Sequence, residues 1–214
     1  MLGFIGGTGP EGRGLGLRCA LAGEDVLIGS RDAARAREAA SAISAHDVRG
    51  SVTGALNTDV ALLADILLVT VPYTGHRDTL TALREPLVGK VVIDVVAPLA
   101  VEKGRARAVR VDEGSAALQA QAILRDSRVA AAFQTISARD LLVPDRSIDS
   151  DVVVCADDAE AKKTAMELAG KIDGLRAVDG GGLDNARYVE DFTALLLNIN
   201  RIYKAHSSLR ITGI

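Results

Sequence analysis

The bend at the amino end constrains this chain more than any other feature. Leu2-Gly3-Phe4-Ile5 is a short apolar run that turns at once into Gly6-Gly7-Thr8-Gly9-Pro10-Glu11-Gly12. Within it, Gly7, Gly9 and Gly12 satisfy the spacing G-x-G-x-x-G. That spacing alone is common in loop-rich proteins, so its setting decides its meaning. An apolar strand precedes it, a helical run from Leu15 to Ala22 closed by Gly23 follows, and Asp25–Ile28 reads as a second strand. In such a βαβ unit the first glycine makes the tight turn and the second lets the backbone approach a pyrophosphate. The third lets helix and strand pack closely. Phosphates then lie at the helix N-terminus, where unpaired N–H groups and the helix dipole favour anions. Gly7, Thr8, Gly9, Pro10, Glu11 and Gly12 are therefore candidate cofactor contacts.

The end of the second strand narrows the cofactor. NAD-binding chains usually carry Asp or Glu there for the ribose 2′-hydroxyl. Here the strand runs into Gly29-Ser30-Arg31, with Arg35 a turn later, and Asp32 lies past the usual position. A carboxylate would repel a 2′-phosphate, whereas Ser30 can donate a hydrogen bond and Arg31 can pair with the phosphate. The pattern predicts NADP(H) rather than NAD.

Further along, apolar strands alternate with helical stretches. Ala33–Ala40 is an alanine-rich helix, Ser51–Gly54 a short strand, and Asn57 or Thr58 caps a brief helix through Leu63. Ile66–Val71 and Val91–Val96 are nearly unbroken apolar runs, the pattern of strands covered on both faces. Ligands bind at the carboxyl ends of such strands, so Thr70, Val71 and Pro72, and Ala97 after the next strand, are candidates for the nicotinamide-ribose side. Pro72 could equally serve only to stop its strand. Asp94 sits inside an apolar run and needs a hydrogen-bonding partner if buried. Ser115 is a plausible N-cap for a helix through Leu124, and Arg128–Ile136 reads as another strand. The alternation predicts an α/β fold with a doubly wound, mostly parallel Rossmann-type sheet.

The last third reads differently. A strand at Val152–Cys155, a helix from about Asp157 to Ile172 and a short strand, Arg176–Val178, precede a long helix from about Asn185. That helix carries Val189, Phe192, Leu195, Leu196, Ile199, Ile202 and Tyr203, mostly at steps of three and four. So apolar a helix should pack on the sheet or a second subunit, or wall a cofactor site. These residues suggest a dinucleotide-binding domain at 1–137 and a smaller C-terminal extension at 138–214 that closes the cleft, with the hinge around Ser137 to Ser150.

Composition excludes several classes. The 25 basic residues are outnumbered by 28 acidic ones, so the chain has no overall basic field for nucleic acid. Tryptophan is absent, and three Phe with three Tyr leave few rings to stack bases. The apolar runs are too short or too charged to span a bilayer, and no targeting segment is visible. Cys19 and Cys155 lack metal or disulfide spacing, which points to reducing cytoplasm. His46, His76 and His206 are scattered, so no metal site is expected. No residue pair stands out as a general acid and base.

Taken together, the chain resembles the NADPH-dependent F420 reductases along nearly its whole length. The resemblance rests on Ile5–Gly9, Gly12–Leu15, Ile28-Gly29-Ser30-Arg31, Thr70-Val71-Pro72 and Cys155–Asp158, together with Asp173–Arg176, Leu183–Arg187 and Leu195–Ile199. It implies hydride exchange between nicotinamide C4 of NADP(H) and C5 of the deazaflavin coenzyme F420. Such a transfer needs no protein nucleophile, only two rings held face to face about 3–3.5 Å apart. By the same resemblance Thr8, Ser30, Arg31 and Arg35 would hold the NADP phosphates and adenosine ribose. Gln134, Ile136 and Ala138, with Leu209, would border the stacked rings. Family members commonly carry histidine where this chain has Gln134. Glutamine can still hydrogen-bond a carboxamide or ring carbonyl but carries no charge. Related readings are a reductase of flavins or of small imines or ketones, and a non-catalytic NADP(H) sensor. A basic rim beside the cleft would favour F420, whose tail is acidic. A homodimer built on the last helix is expected.

Overall fold

Alternating side chains of the central strands face two separate cores, which is why the strands read as continuous apolar runs. The computed structural model describes residues 1–214. In chain order the N-terminal elements are β1 (Leu2–Ile5), α1 (Pro10–Leu21), β2 (Val26–Ser30), α2 (Ala33–Ser44), β3 (Val52–Leu56) and α3 (Asn57–Leu63). There follow β4 (Ile66–Val69), α4 (His76–Ala82), β5 (Val91–Asp94), β6 (Leu99–Glu102), β7 (Arg105–Ala108), α5 (Ala116–Ile123) and β8 (Arg128–Ala131). The last third holds α6 (Ala138–Leu141), β9 (Ser150–Ala156), α7 (Ala159–Gly170), β10 (Leu175–Asp179) and α8 (Ala186–Tyr203).

The eight-stranded sheet has the order β10-β9-β8-β5-β4-β1-β2-β3. Every neighbouring pair is parallel except β8 with β9. The expected α/β Rossmann-type architecture with a long final helix is thus the one observed. β9 and β10, which follow residue 137, extend the same sheet. Phe4, Ile28, Leu68 and Ile93 join a core with residues of α1, α2 and α7. Ile5, Leu27, Leu67 and Val92 join a second core with residues of α3, α4 and α5.

Several boundaries differ from the sequence expectation. The first helix starts at Pro10 rather than Leu15, with Pro at its first position, so Gly12, Gly14 and Gly16 lie inside it. Proline suits that position because its missing N–H would be unpaired there anyway. β5 stops at Asp94 and β8 at Ala131. Phe133 takes φ 73°, a left-handed conformation no strand accommodates. The hairpin β6–β7 is not apparent in the periodicity; Lys103 (φ 48°) and Gly104 (φ 75°) form its turn, with both central residues at positive φ as tight hairpins require. The stripe of α8 divides: Val189, Ala194 and Leu196 are buried, while Leu195, Leu197, Ile202 and Tyr203 are exposed. Asn198 pairs with the hairpin by donating to the Ala106 carbonyl (2.8 Å) and accepting from the Ala106 N–H (3.0 Å).

Candidate active site

The glycine bend leads from β1 into α1 at the carboxyl edge of the parallel strands. Its positive φ falls on Gly6 (76°), one residue before the glycine expected to make the turn. Gly6 N–H donates to Asn57 Oδ1 (3.0 Å) and Gly7 N–H to the Gly29 carbonyl (2.9 Å), so the bend is tied to β2 and to the start of α3. A Cβ on Gly12 would come within 2.5 Å of Gly7 Cα, the close packing expected of the third glycine. A Cβ on Gly9 would meet nothing within 4 Å, because Gly9 faces open space. No side chain caps the first turn of α1, which leaves its N–H groups for an anion.

A cavity of about 450 Å³ opens over this bend, lined by Thr8, Gly9, Pro10 and Glu11 on one side and by Ser30, Arg31 and Arg35 on the other. Asp32, Asn57, Thr70, Val71 and Pro72 also line it. Asp32, the only carboxylate near the expected ribose position, accepts from the N–H groups of Ala34 and Arg35 as the N-cap of α2. It is engaged in holding the helix rather than in meeting a ribose hydroxyl. Arg31 and Arg35 belong to no ion pair, so their charges are uncommitted. A shallower cavity beyond, lined by Arg31, Leu56, Thr58 and Asp78 among others, has room for a base.

The second cavity, about 690 Å³, shares Pro10 and Glu11 with the first. Its other walls are the segment Gln134–Arg139, one face of α8 (Thr193, Leu196, Leu197, Asn200, Arg201) and the tail from Lys204 to Ser207. Arg139, Arg201, Lys204 and His206 make its rim basic, and Glu11 is its only carboxylate. Gln134 reaches the wall by donating its amide to the Asp94 carbonyl (3.0 Å), while its Oε1 is buried without a hydrogen-bond partner. Thr193 Oγ1 donates to the Gln134 carbonyl (3.0 Å), which ties α8 to this segment.

Two buried groups hold the second cavity in place. Arg18 on α1 donates to the carbonyls of Asp140, Leu141, Val143 and Arg146, fixing the stretch expected to act as a hinge against the first helix. Beneath Gln134, His76 is fully buried between Asp94 (Nε2 to Oδ2, 2.6 Å) and Gln119 (Nδ1 to Oε1, 2.9 Å). Gln119 in turn donates to Glu113, which settles its carbonyl toward the imidazole. Burial by itself would lower the His76 pKa, but the Asp94 charge and the bonds to Asp94 and Gln119 outweigh it and the net shift is upward. Acceptors facing both ring nitrogens favour the protonated imidazole. Glu190 lies nearby, accepting from the N–H groups of Ala116 and Ala117. Its carboxyl is pushed up to about 7, chiefly by burial.

Most residues expected from the sequence line the two cavities. Ala97, Gly7, Gly12 and Leu209 line neither of them. Gly7 and Gly12 lie under the bend. The Leu209 carbonyl accepts from Asp151 N–H (2.7 Å) and holds the tail against β9. Asn57, Thr193, Asn200, Arg139, Arg201 and Lys204 were not anticipated. In the sequence Asn57 reads only as a possible helix cap, and the others come together only where α8 and the tail meet the segment that follows β8. His76, unremarkable as an isolated histidine, supports the wall.

Comparison with known proteins bears on the chemistry this cleft performs. Residues 1–98 match a family described as NADP oxidoreductase coenzyme F420-dependent. The F420-dependent NADP reductase of Methanothermobacter thermautotrophicus is 45% identical over 217 residues, covering 98% of this chain and 94% of that one. The chain belongs to this reductase family. A second member, from Methanocaldococcus jannaschii, is 36% identical and covers 99% of this chain and 97% of its own. A crystal structure from Arthrobacter sp. FB24, described as an F420-dependent NADP-reductase, shares the family fold. Its TM-score is 0.83 at 24% identity, with 99% of each chain covered. No helix is long and apolar enough to cross a membrane.

Proposed function

We propose that this protein catalyses hydride exchange between NADP(H) and coenzyme F420, each cofactor occupying one of the two joined cavities. The observation that carries this reading is their shared wall at Pro10 and Glu11. It sets a phosphate-binding bend beside a second chamber with a basic rim. Bound together, the two cofactors supply the chemistry, hydride leaving nicotinamide C4 and arriving at deazaflavin C5. The protein binds, aligns and shields them from water.

In this reading the uncapped turn of α1, with Thr8, holds the pyrophosphate. Ser30, Arg31 and Arg35 hold the 2′-phosphate. Thr70, Val71 and Pro72, at the end of β4, border the nicotinamide ribose. Across the second cavity Ile136, Ala138 and Leu196 supply apolar surface for a flat ring. The unpartnered Gln134 Oε1 fits an N–H donor, as a carboxamide or a ring imide presents. Arg139, Arg201 and Lys204 suit an acidic tail. Residues 138–214 act as the part that closes the cleft. The exposed Leu195, Leu197, Ile202 and Tyr203 of α8 support a homodimer, and two free buried cysteines suit reducing cytoplasm.

The test is loss of the near-ultraviolet band of NADPH on mixing with F420, with FMN and with a cyclic imine. Turnover with F420 at least tenfold above the others is expected. Tight NADPH binding without turnover of any acceptor would instead make the chain a sensor, and light scattering decides the dimer.

A further inference from the structure

Glu11 is the one side chain common to both cavities that carries an ionisable group. Its Oε1 is closed off from solvent and has no hydrogen-bond partner. A buried carboxylate left in that state would be costly, and the simplest relief is a proton. No side chain nearby offers Oε1 a partner. Arg139, Arg201, Lys204 and His206 around one cavity, Arg31, Asp32 and Arg35 around the other, and Arg13 on its own helix all leave Glu11 without an ion pair. Burial alone accordingly pushes its carboxyl up to about 8.

We propose that Glu11 is the proton-carrying residue of this cleft, neutral at rest and serving the acceptor ring at the moment of hydride transfer. This rests on the two-cofactor reading above and adds the proton that reading leaves unassigned. In the direction from NADPH, the C4–H bond of the dihydronicotinamide breaks and the C5–H bond of the deazaflavin forms. Two electrons enter the acceptor, which then requires one proton on a ring nitrogen. The Glu11 O–H bond breaks to supply it, and solvent restores the proton through the exposed part of the residue. In the opposite direction the Glu11 carboxylate takes the same proton away. A neutral Glu11 also spares the NADP pyrophosphate a negative charge at the first turn of α1.

The decisive comparison is wild type against Glu11→Gln, which keeps the shape and loses the proton, with Glu11→Leu as a second replacement of similar size. Calorimetric titration of NADP in buffers of different ionisation enthalpy reads the proton without any turnover. Wild type should take up protons on binding, most strongly near pH 8, and both variants should take up none. Hydride transfer from NADPH to F420 should fall roughly 10²-fold in the variants, the lower range for a positioned general acid. It should also lose its dependence on pH across that range, with NADP affinity changed less than about threefold. Wild-type turnover of F420 with an unchanged rate and pH profile in Glu11→Gln would overturn this inference alone. Equal proton uptake by wild type and both variants would do the same. Failure of wild type to reduce F420 would remove both the inference and the reading beneath it.

Discussion

The two halves of the cleft are built in opposite ways. The half we assign to the nucleotide is made largely of backbone: a bend at Gly6 to Gly12, the ends of β2 and β4, and the uncapped turn of α1, all positioned by parallel strand register. The half we assign to the acceptor is made of side chains from segments far apart in sequence, Gln134–Arg139, α8 and the tail, held by Arg18, Asn198 and the His76–Asp94 pair. A backbone site tolerates change in the side chains around it and is intolerant of an added Cβ. A side-chain site is only as well ordered as the buried polar groups that moor it.

The largest effect should come from Arg18→Met. It strips a cation from four carbonyls of residues 140–146, each unsatisfied group costing about 1–3 kcal/mol where water cannot reach it. We expect a loss of about 3–5 kcal/mol in urea unfolding, and F420 affinity falling more than NADP affinity in calorimetry. Equal losses would erase the contrast between the halves.

Next come two glycines. Gly12→Ala must fit a methyl within 2.5 Å of Gly7 Cα and 2.7 Å of Thr70 Oγ1, a crowding worth about 1–3 kcal/mol. Gly9→Ala has open space around it, so the thermal midpoint should stay in place while NADP affinity drops. A lowered midpoint for Gly9→Ala would show that Gly9 serves the fold rather than the ligand.

Charge reversals should divide the halves more gently. Arg31→Glu should move the ratio of NADP to NAD efficiency by about 10- to 100-fold, the worth of one charged hydrogen bond, without altering F420 affinity. Arg201→Glu should raise KM for F420 severalfold and leave NADP binding alone. Steady-state kinetics with each cofactor varied in turn reads both.

The pH dependence of stability sets two carboxyls apart, and they behave oppositely. Asp151 on β9 accepts from Arg176, Arg210 and the Ile211 N–H, and its pKa is drawn down to about 2 from 3.8. Its folded value lies below its unfolded one. Its contribution is therefore complete above about pH 4 and is lost as pH falls toward 2, and Asp151→Asn should flatten that acid limb. Glu11 lies above its ordinary 4.5, at about 8. The folded state binds the extra proton between those values, so stability declines as pH rises through them. Glu11→Gln should remove that decline. Thermal midpoints collected across pH 3 to 9 test both signs.

Much of the architecture is legible in the amino-acid sequence. Strands buried on both faces announce themselves as unbroken apolar runs, and Ser115 announces a helix start by capping chemistry, accepting a first-turn N–H. The failures have common causes. The run from Arg128 to Ile136 looks like one strand, yet Phe133 adopts φ 73° and sends Gln134 into the cavity wall. Tertiary packing overrode the local preference there. The β6–β7 hairpin is mostly charged or small at its surface, so alternation left no mark except Lys103-Gly104. His76 gave no signal because its partners Asp94 and Gln119 lie 18 and 43 residues away.

By itself the amino-acid sequence determined the parallel sheet and the glycine bend, and it carries the proposal that the bend holds an anion beside a site for an extra phosphate. Each depends on residues within one βαβ unit, where local sterics and hydrogen bonding suffice. Only the tertiary structure decided the second chamber, its basic rim and the closed-off Oε1 of Glu11. Those depend on where α8 and the tail settle, and that is set by long-range contacts whose free energy no short stretch of chain contains.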